Sequence, residues 1–340
     1  MSAALIITVA LVMGVIFVNG WTDAPNAIAT AISTRVIETR KAIIMATILN
    51  FFGALLMTLV NAQVAATISN MVNFGEASAN EPQIALAAAL FAIVVWAVGA
   101  WYFGIPTSES HALIAGITGA AIAMGGIGGI NMAEWSKVLI GLLISSVFGF
   151  GGGYIIAKFI QALSGSFNRQ KANKFFSIGQ AGTAGAMAFL HGAQDGQKFM
   201  GVFMLTLFYN GFTKYSVSDG VFMLPIWVIA ICSLVMGVGT SIGGVRIIKA
   251  VGVDMVKLDK YQGFSADLGA SICLLAASLF GIPLSTTHTK TTAIMGVGAA
   301  RRLSTIDWRI VGEMVLAWVL TFPGCGLIAY LMTKLFILIF

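Results

Sequence analysis

Charge is what this chain has least of. Only 9% of its 340 residues are Asp, Glu, Lys or Arg, where soluble domains carry about 25%. That shortage excludes an ordinary soluble domain. With 58% hydrophobic residues and a mean hydropathy of +0.93, the chain reads as an all-α polytopic membrane protein. Cysteine is nearly absent as well. Cys232, Cys273 and Cys325 are scattered through apolar segments, with no C-x-x-C pair and no disulfide framework, and read as small buried side chains. There is no H-E-x-x-H or comparable ligand set, which argues against an intramembrane metal enzyme built on His191, His288 and the aspartates. The first apolar stretch, Ala3 to Val18, lacks a basic leader region and an A-x-A site, so a membrane segment is expected there rather than a removed signal. The net charge of +6 implies no nucleic-acid partner, because the basic residues sit in short loops where they set topology.

What the chain does have is apolar length and glycine. Long apolar segments run over 3–34, 41–60, 83–103, 111–130, 135–162, 179–208, 224–245, 265–281, 288–300 and 308–339. The 39 glycines suit close-packed or interrupted membrane helices. Loops 35–41, 163–178, 246–264 and 301–309 are rich in Lys and Arg, whereas 61–82 holds only Glu76 and Glu81. Short basic loops stay cytoplasmic, so the first four are expected inside and 61–82 outside.

Two polar phrases are written twice. Gly104 to His111 reads G-I-P-T-S-E-S-H, and Gly281 to His288 reads G-I-P-L-S-T-T-H, an offset of 283 − 106 = 177. Asn19 to Asn26 aligns more loosely with His191 to Lys198, an offset of 195 − 23 = 172. Together they predict an inverted-topology repeat with broken helices and two re-entrant helical hairpins. The first repeat is 1–162, with a broken helix at Asp23 and a hairpin tip at 106–111. A cytoplasmic linker follows at 163–178. The second, inverted repeat is 179–340, with a broken helix at Asp195 and a tip at 283–288.

Polar groups inside apolar sequence are costly and point to a site. At the tips, Ser108, Ser110, Ser285, Thr286 and Thr287 fall at cap and first-turn positions. Two facing helix N-termini with these hydroxyls suit a tetrahedral oxyanion. Glu109 stands where the second tip has Thr286. A carboxylate beside an anion tolerates a protonated oxyanion such as phosphate better than sulfate; it can also ligate a cation or turn away. Asp23 and Asp195 are intramembrane carboxylates, and with freed carbonyls they make hard oxygen ligands for Na⁺ or carriers of protons. Thr22, Asn26, Gln194 and Gln197 are neutral groups beside them that orient ligands or touch the anion. Lys198 and Lys290 are each read as offsetting anion charge, pairing with Asp195 or Glu109, or snorkelling, with pairing or snorkelling preferred for Lys290. His111, His191 and His288 are expected to hold broken helices by hydrogen bonds. No bound cofactor is expected.

An imported anion climbs about 2.3 kcal/mol per charge per 100 mV in a negative-inside cell. Anion donors beside buried carboxylates are what coupling to cations requires, and they fit a passive anion channel poorly. The four motifs, Gly20 to Ala27, Asp195 to Lys198, Pro106 to His111 and Pro283 to His288, resemble those of the inorganic phosphate transporter family over essentially the whole chain. The resemblance implies an inverted repeat in a prokaryotic cell membrane, inorganic phosphate at the tips (Ser108, Glu109, Ser110, Ser285, Thr286, Thr287, with Asn26, Gln197 and Lys198), sodium near Asp23, Asp195, Thr22, Asn19 and Gln194, and a homodimer. Thr22 and Gln194 depart from the usual Asn, and Glu109 from the usual Ser or Thr. A proton-coupled phosphate or sulfate permease of the same fold is the alternative.

Overall fold

Inside a bilayer a chain must satisfy its own backbone, so apolar runs of this length become helices. The computed structural model describes residues 3–75, 81–105, 107–163, 168–211, 217–218, 221–222 and 224–340. Pro106, Glu76 and residues 164–167 of the expected linker lie outside the described residues. The helices are α1 (Ala3–Thr22), α2 (Pro25–Ser33), α3 (Thr39–Val60), α4 (Gln63–Asn70), α5 (Glu81–Phe103), α6 (Glu109–Gly125), α7 (Met132–Leu163), α8 (Arg169–Tyr209), α9 (Ile226–Thr240), α10 (Val245–Lys249), α11 (Lys260–Leu279), α12 (Thr286–Arg301) and α13 (Trp308–Ile339). Val217–Ser218 and Val221–Phe222 pair as a minimal antiparallel hairpin. Among the described residues seven stretches are long and apolar enough to cross a membrane, or eight if Ile226–Thr240 and Val245–Asp254, bent by 66°, count as one.

The packing repeats itself with partners exchanged. α7 lies along α12 while α13 lies along α6; α3 lies along α8 while α9 lies along α1; α5 packs on α1 and α11 on α8. The two hairpin turns also close in the same way. Gly104 (φ +70) and Gly281 (φ +68) end α5 and α11 in the left-handed region that glycine enters without strain. The following N–H groups, Ile105 and Ile282, reach back to the carbonyls of Ala100 and Ala277 at 3.0 and 2.9 Å, the six-to-one closure of a helix C-terminus.

Three expectations need correction. Helix α8 is not broken at Asp195; it runs unbroken from Arg169 to Tyr209. The expectation rests on glycines weakening a helix, but Gly192 and Gly196, which flank Asp195 on this helix, serve contact rather than unwinding. A Cβ on Gly192 would lie 2.1 Å from the Asn50 carbonyl oxygen, and one on Gly196 would lie 2.6 Å from Ala54 Cβ. The glycines let α3 approach the α8 backbone. Second, residues 169–178 of the expected linker are the first turns of α8, started by Asn168, whose side chain accepts from the Gln170 and Lys171 N–H groups. Third, the regions read as loops 61–82 and 246–264 contain α4, α10 and a π-helical turn (Ala250–Asp254). Val64, Ala65, Ile68, Ile247 and Val251 are buried there, which is why these short helices persist.

A helix-interior glycine changed to alanine ordinarily gains about 1 kcal/mol. Here Gly192→Ala is expected to destabilise instead, by roughly 1–3 kcal/mol from overpacking. Thermal unfolding of the purified protein checks it; a raised midpoint would restore the helix-weakening reading.

Candidate functional site

Every candidate side chain sits where a helix starts, stops or is pressed against another. Between α1 and α2, Pro25 has no N–H to return to the Trp21 carbonyl, and the Asn26 N–H bonds to the Asp23 carbonyl at 3.0 Å. The ladder tightens at this junction and holds Asp23 there, 2% exposed. At the two tips serine caps each helix. The Ser108 hydroxyl accepts from the His111 N–H at 3.3 Å and Ser285 from the His288 N–H at 3.1 Å. The caps also touch, with Ser285 Oγ donating to Ser108 Oγ at 2.8 Å. The N-termini of α6 and α12 therefore meet. Their first-turn N–H groups and dipoles favour an anion.

The carboxylates take partners from the opposite half. Ser110, in the first tip, donates to Asp195 Oδ1 at 3.4 Å. Thr287, at the same place in the second, donates to Asp23 Oδ1. Each aspartate also has a partner three residues on. Asn26 Nδ2 donates to Asp23 at 2.7 Å and Lys198 Nζ to Asp195 at 2.6 Å. Lys198 donates further to Ser110 Oγ at 2.7 Å and to the Leu284 carbonyl, so its ammonium lies between the two tips. Asn19 Nδ2 and Thr286 Oγ1 donate to Asp195 Oδ2 at 3.3 and 3.2 Å. Thr22 donates to Glu109, which turns Glu109 into the cluster.

Four acceptor oxygens in this network have no hydrogen-bond partner among the described residues: Asn19 Oδ1, Asp23 Oδ2, Asn26 Oδ1 and Glu109 Oε2. All four residues are buried. A buried oxygen without a donor is costly unless something positive faces it. Asp23, His191 and Asp195 also each offer a ligand atom, all within 4.8 Å of one another.

Other expected site residues stand elsewhere or act differently. Gln197 points away from the cluster and donates to the Asn61 carbonyl at 2.8 Å. Residues 191, 194, 195 and 198 share one face of α8, and the step to 197 leaves it. Gln194 braces the second tip. Its amide donates to Ser278 Oγ at 3.0 Å and Ile282 O at 3.3 Å, and accepts from the Leu284 N–H at 3.2 Å. His191 touches Asp195 Oδ2 at 3.3 Å and Asn50 Oδ1 at 3.1 Å. His288 Nδ1 lies 3.5 Å from Ser146 Oγ on α7, a hydrogen-bond contact that braces α12. His111 and His288 also pack ring to ring, with centroids 4.3 Å apart, and His288 lies 3.7 Å from Trp318.

Sequence reasoning missed Asn50, which links His191 to Thr240 Oγ1 at 2.7 Å, and Asp267, which pairs with Lys290. The available signal was an amide inside the apolar run 41–60 for Asn50, and for Asp267 a carboxylate inside the apolar run 265–281.

The chain is similar to known proteins in sequence and in fold. The profile described as "Phosphate transporter family" matches residues 19–329. The chain is 36% identical over 336 residues to a Bacillus subtilis protein named "Probable low-affinity inorganic phosphate transporter", covering 97% of this chain and 98% of that one. It is 37% identical over 318 residues to a Rhizobium meliloti protein of the same name, covering 93% and 91%. A solved structure named "The sodium-dependent phosphate transporter" matches with a TM-score of 0.87 at 21% identity, over 100% of both chains. That likeness establishes the fold.

Removing one partner of a buried ion pair costs about 3–5 kcal/mol. Lys198→Met is therefore expected to lower the thermal midpoint sharply, and adding Asp195→Asn to recover part of the loss. Equal midpoints for Lys198→Met and the parent would mean that the pair contributes nothing to stability.

Proposed function

Because this chain belongs to the phosphate transporter family, a family of membrane permeases and not enzymes, we propose that it is a secondary active symporter importing inorganic phosphate coupled to sodium. The observation that carries the sodium reading is the set of four buried oxygens without donors among the described residues, on Asn19, Asp23, Asn26 and Glu109. Carbonyl and carboxylate oxygens are hard ligands suited to Na⁺. Charge supports it too. The cluster holds three buried carboxylates (Asp23, Glu109, Asp195) and one ammonium (Lys198), so with all ionised 3 − 1 = 2 negative charges are in excess. Cations that neutralise this excess also remove the repulsion an arriving phosphate would meet, which makes binding of the two mutual.

The phosphate would lie against the N-termini of α6 and α12, with Ser110, Thr286, Thr287 and Lys198 in reach. Loading it means exchanging contacts. Ser110 and Thr287 now donate to aspartates, and Lys198 donates to Asp195. As sodium takes over at the carboxylates, these donors are released to the anion. The exchange of partners seen in the packing, α7 on α12 against α13 on α6, supports two repeats that can rock about the shared tips, and the inverted orientation of those repeats is part of the proposal. Glu109 fits a substrate that carries a proton of its own.

Radiolabelled phosphate uptake into proteoliposomes tests this. An inward sodium gradient should drive accumulation. Response to a proton gradient alone would replace sodium by protons, and indifference to both would end the symport reading. Sulfate competing as well as unlabelled phosphate would overturn the substrate. Asp23→Asn and Asp195→Asn are each expected to abolish coupled uptake while the protein still inserts.

A further inference from the structure

A second buried charge cluster lies behind the site and is used by nothing described above. Lys290 on α12 is 0% exposed, as are Asp267 on α11 and Thr30 on α2. The Lys290 ammonium pairs with Asp267 Oδ1 and donates to Thr30 Oγ1 at 3.1 Å and to the Ala27 carbonyl at 3.2 Å. The Thr30 hydroxyl donates to both Asp267 oxygens, at 2.7 and 2.9 Å. Lys290 stands one helical turn beyond Thr286 and Thr287, and Ala27 follows Asn26. The ammonium thus ties α2 to α12 and α11 directly behind the residues that hold Asp23.

The other half of the chain treats the corresponding positions differently. The 177-residue offset relates Asp267 to Leu90 (267 − 177) and Lys290 to Leu113 (290 − 177), and the 172-residue offset relates Thr30 to Val202 (30 + 172). Leu90, Leu113 and Val202 are all buried in one apolar cluster. The same packing therefore closes with aliphatic side chains. Replacing a buried ion pair by apolar groups of similar volume is often neutral or stabilising, so the charges are not required to form this contact.

We propose that the Lys290 ammonium is a tethered cation filling an oxygen cage that would otherwise hold a small monovalent cation such as Na⁺. The donor set is that of a cation site: a carboxylate (Asp267), a hydroxyl (Thr30) and a backbone carbonyl (Ala27). Carrying the cation on its own side chain, the chain latches α2 to α12 without taking an ion from solution. Deleting the amine leaves one negative charge and three aligned oxygens, and sodium enters in its place. The protein as it stands thereby uses one sodium ion fewer than its oxygen framework has room for.

The test compares Lys290→Met, the pair Asp267→Leu with Lys290→Leu, and the parent. Thermal unfolding is followed against NaCl, with choline chloride holding ionic strength and no phosphate present. Phosphate uptake is followed against sodium. Lys290→Met should gain a sodium-dependent stabilisation beyond the parent's. Its uptake should fall about tenfold at low sodium, within the usual range of coupling between sites, and recover as sodium rises with a steeper dependence. The leucine pair, which has no carboxylate left, should respond to sodium as the parent does. The readout is a difference from the parent, so it holds whichever ion drives the parent. A Lys290→Met response to sodium identical to the parent's, equal stabilisation by choline, or the same gain in the leucine pair would each overturn the proposal. So would a Lys290→Met protein that cannot be purified even in sodium while the leucine pair folds.

Discussion

The rest of this structure depends on one requirement: carboxylates held in a membrane interior must be compensated by groups from other helices. Asp23, Glu109 and Asp195 are all but fully buried. None meets this requirement from its own helix alone. Asp23 takes Thr287, Asp195 takes Ser110, Thr286, Asn19 and Lys198, and Glu109 takes Thr22. These bonds pull the two tips together at the Ser108–Ser285 contact. Assembly of the site and packing of the two halves are in that sense one event.

Close packing makes the arrangement possible. Bringing α3 onto α8 needs the bare backbone of Gly192 and Gly196, and the helix stays intact so that its polar face keeps the spacing of His191, Gln194, Asp195 and Lys198. Of the two aspartate-bearing segments only the first is interrupted, where Pro25 removes a donor beside Asp23. One half presents a carboxylate at a junction of helices, and the other presents one on a rigid rod.

That inequality recurs wherever the halves are compared. Glu109 faces Thr286, Lys198 answers Asn26, and Asp267 with Lys290 answers Leu90 with Leu113. Asn26 and Lys198 make the same contact with the aspartate three residues before them, but one is neutral and the other carries charge. A duplicated backbone thus holds two different electrostatic environments. In the proposed symporter such a difference would let one side favour cations while the other presents an ammonium to the anion.

Much of this was legible in the sequence. Its hydropathy and scarce charge determined the helical membrane fold, and the doubled phrases marked both tips, the capping serines and the aspartates. These are local properties, written in periodicity and in residue types such as proline and serine that act on their immediate neighbours. The tertiary structure decided what depends on who stands opposite. Gly192 and Gly196 read as helix-weakening until α3 was seen against them, and Gln197 read as a ligand until the face of α8 was fixed. Lys290 read as a partner for Asp195 or Glu109, or as snorkelling, until α11 brought Asp267 to it. Contacts between residues far apart in the chain carry no local signature, because burial and charge pairing are settled by the packed neighbour and not by the adjoining sequence.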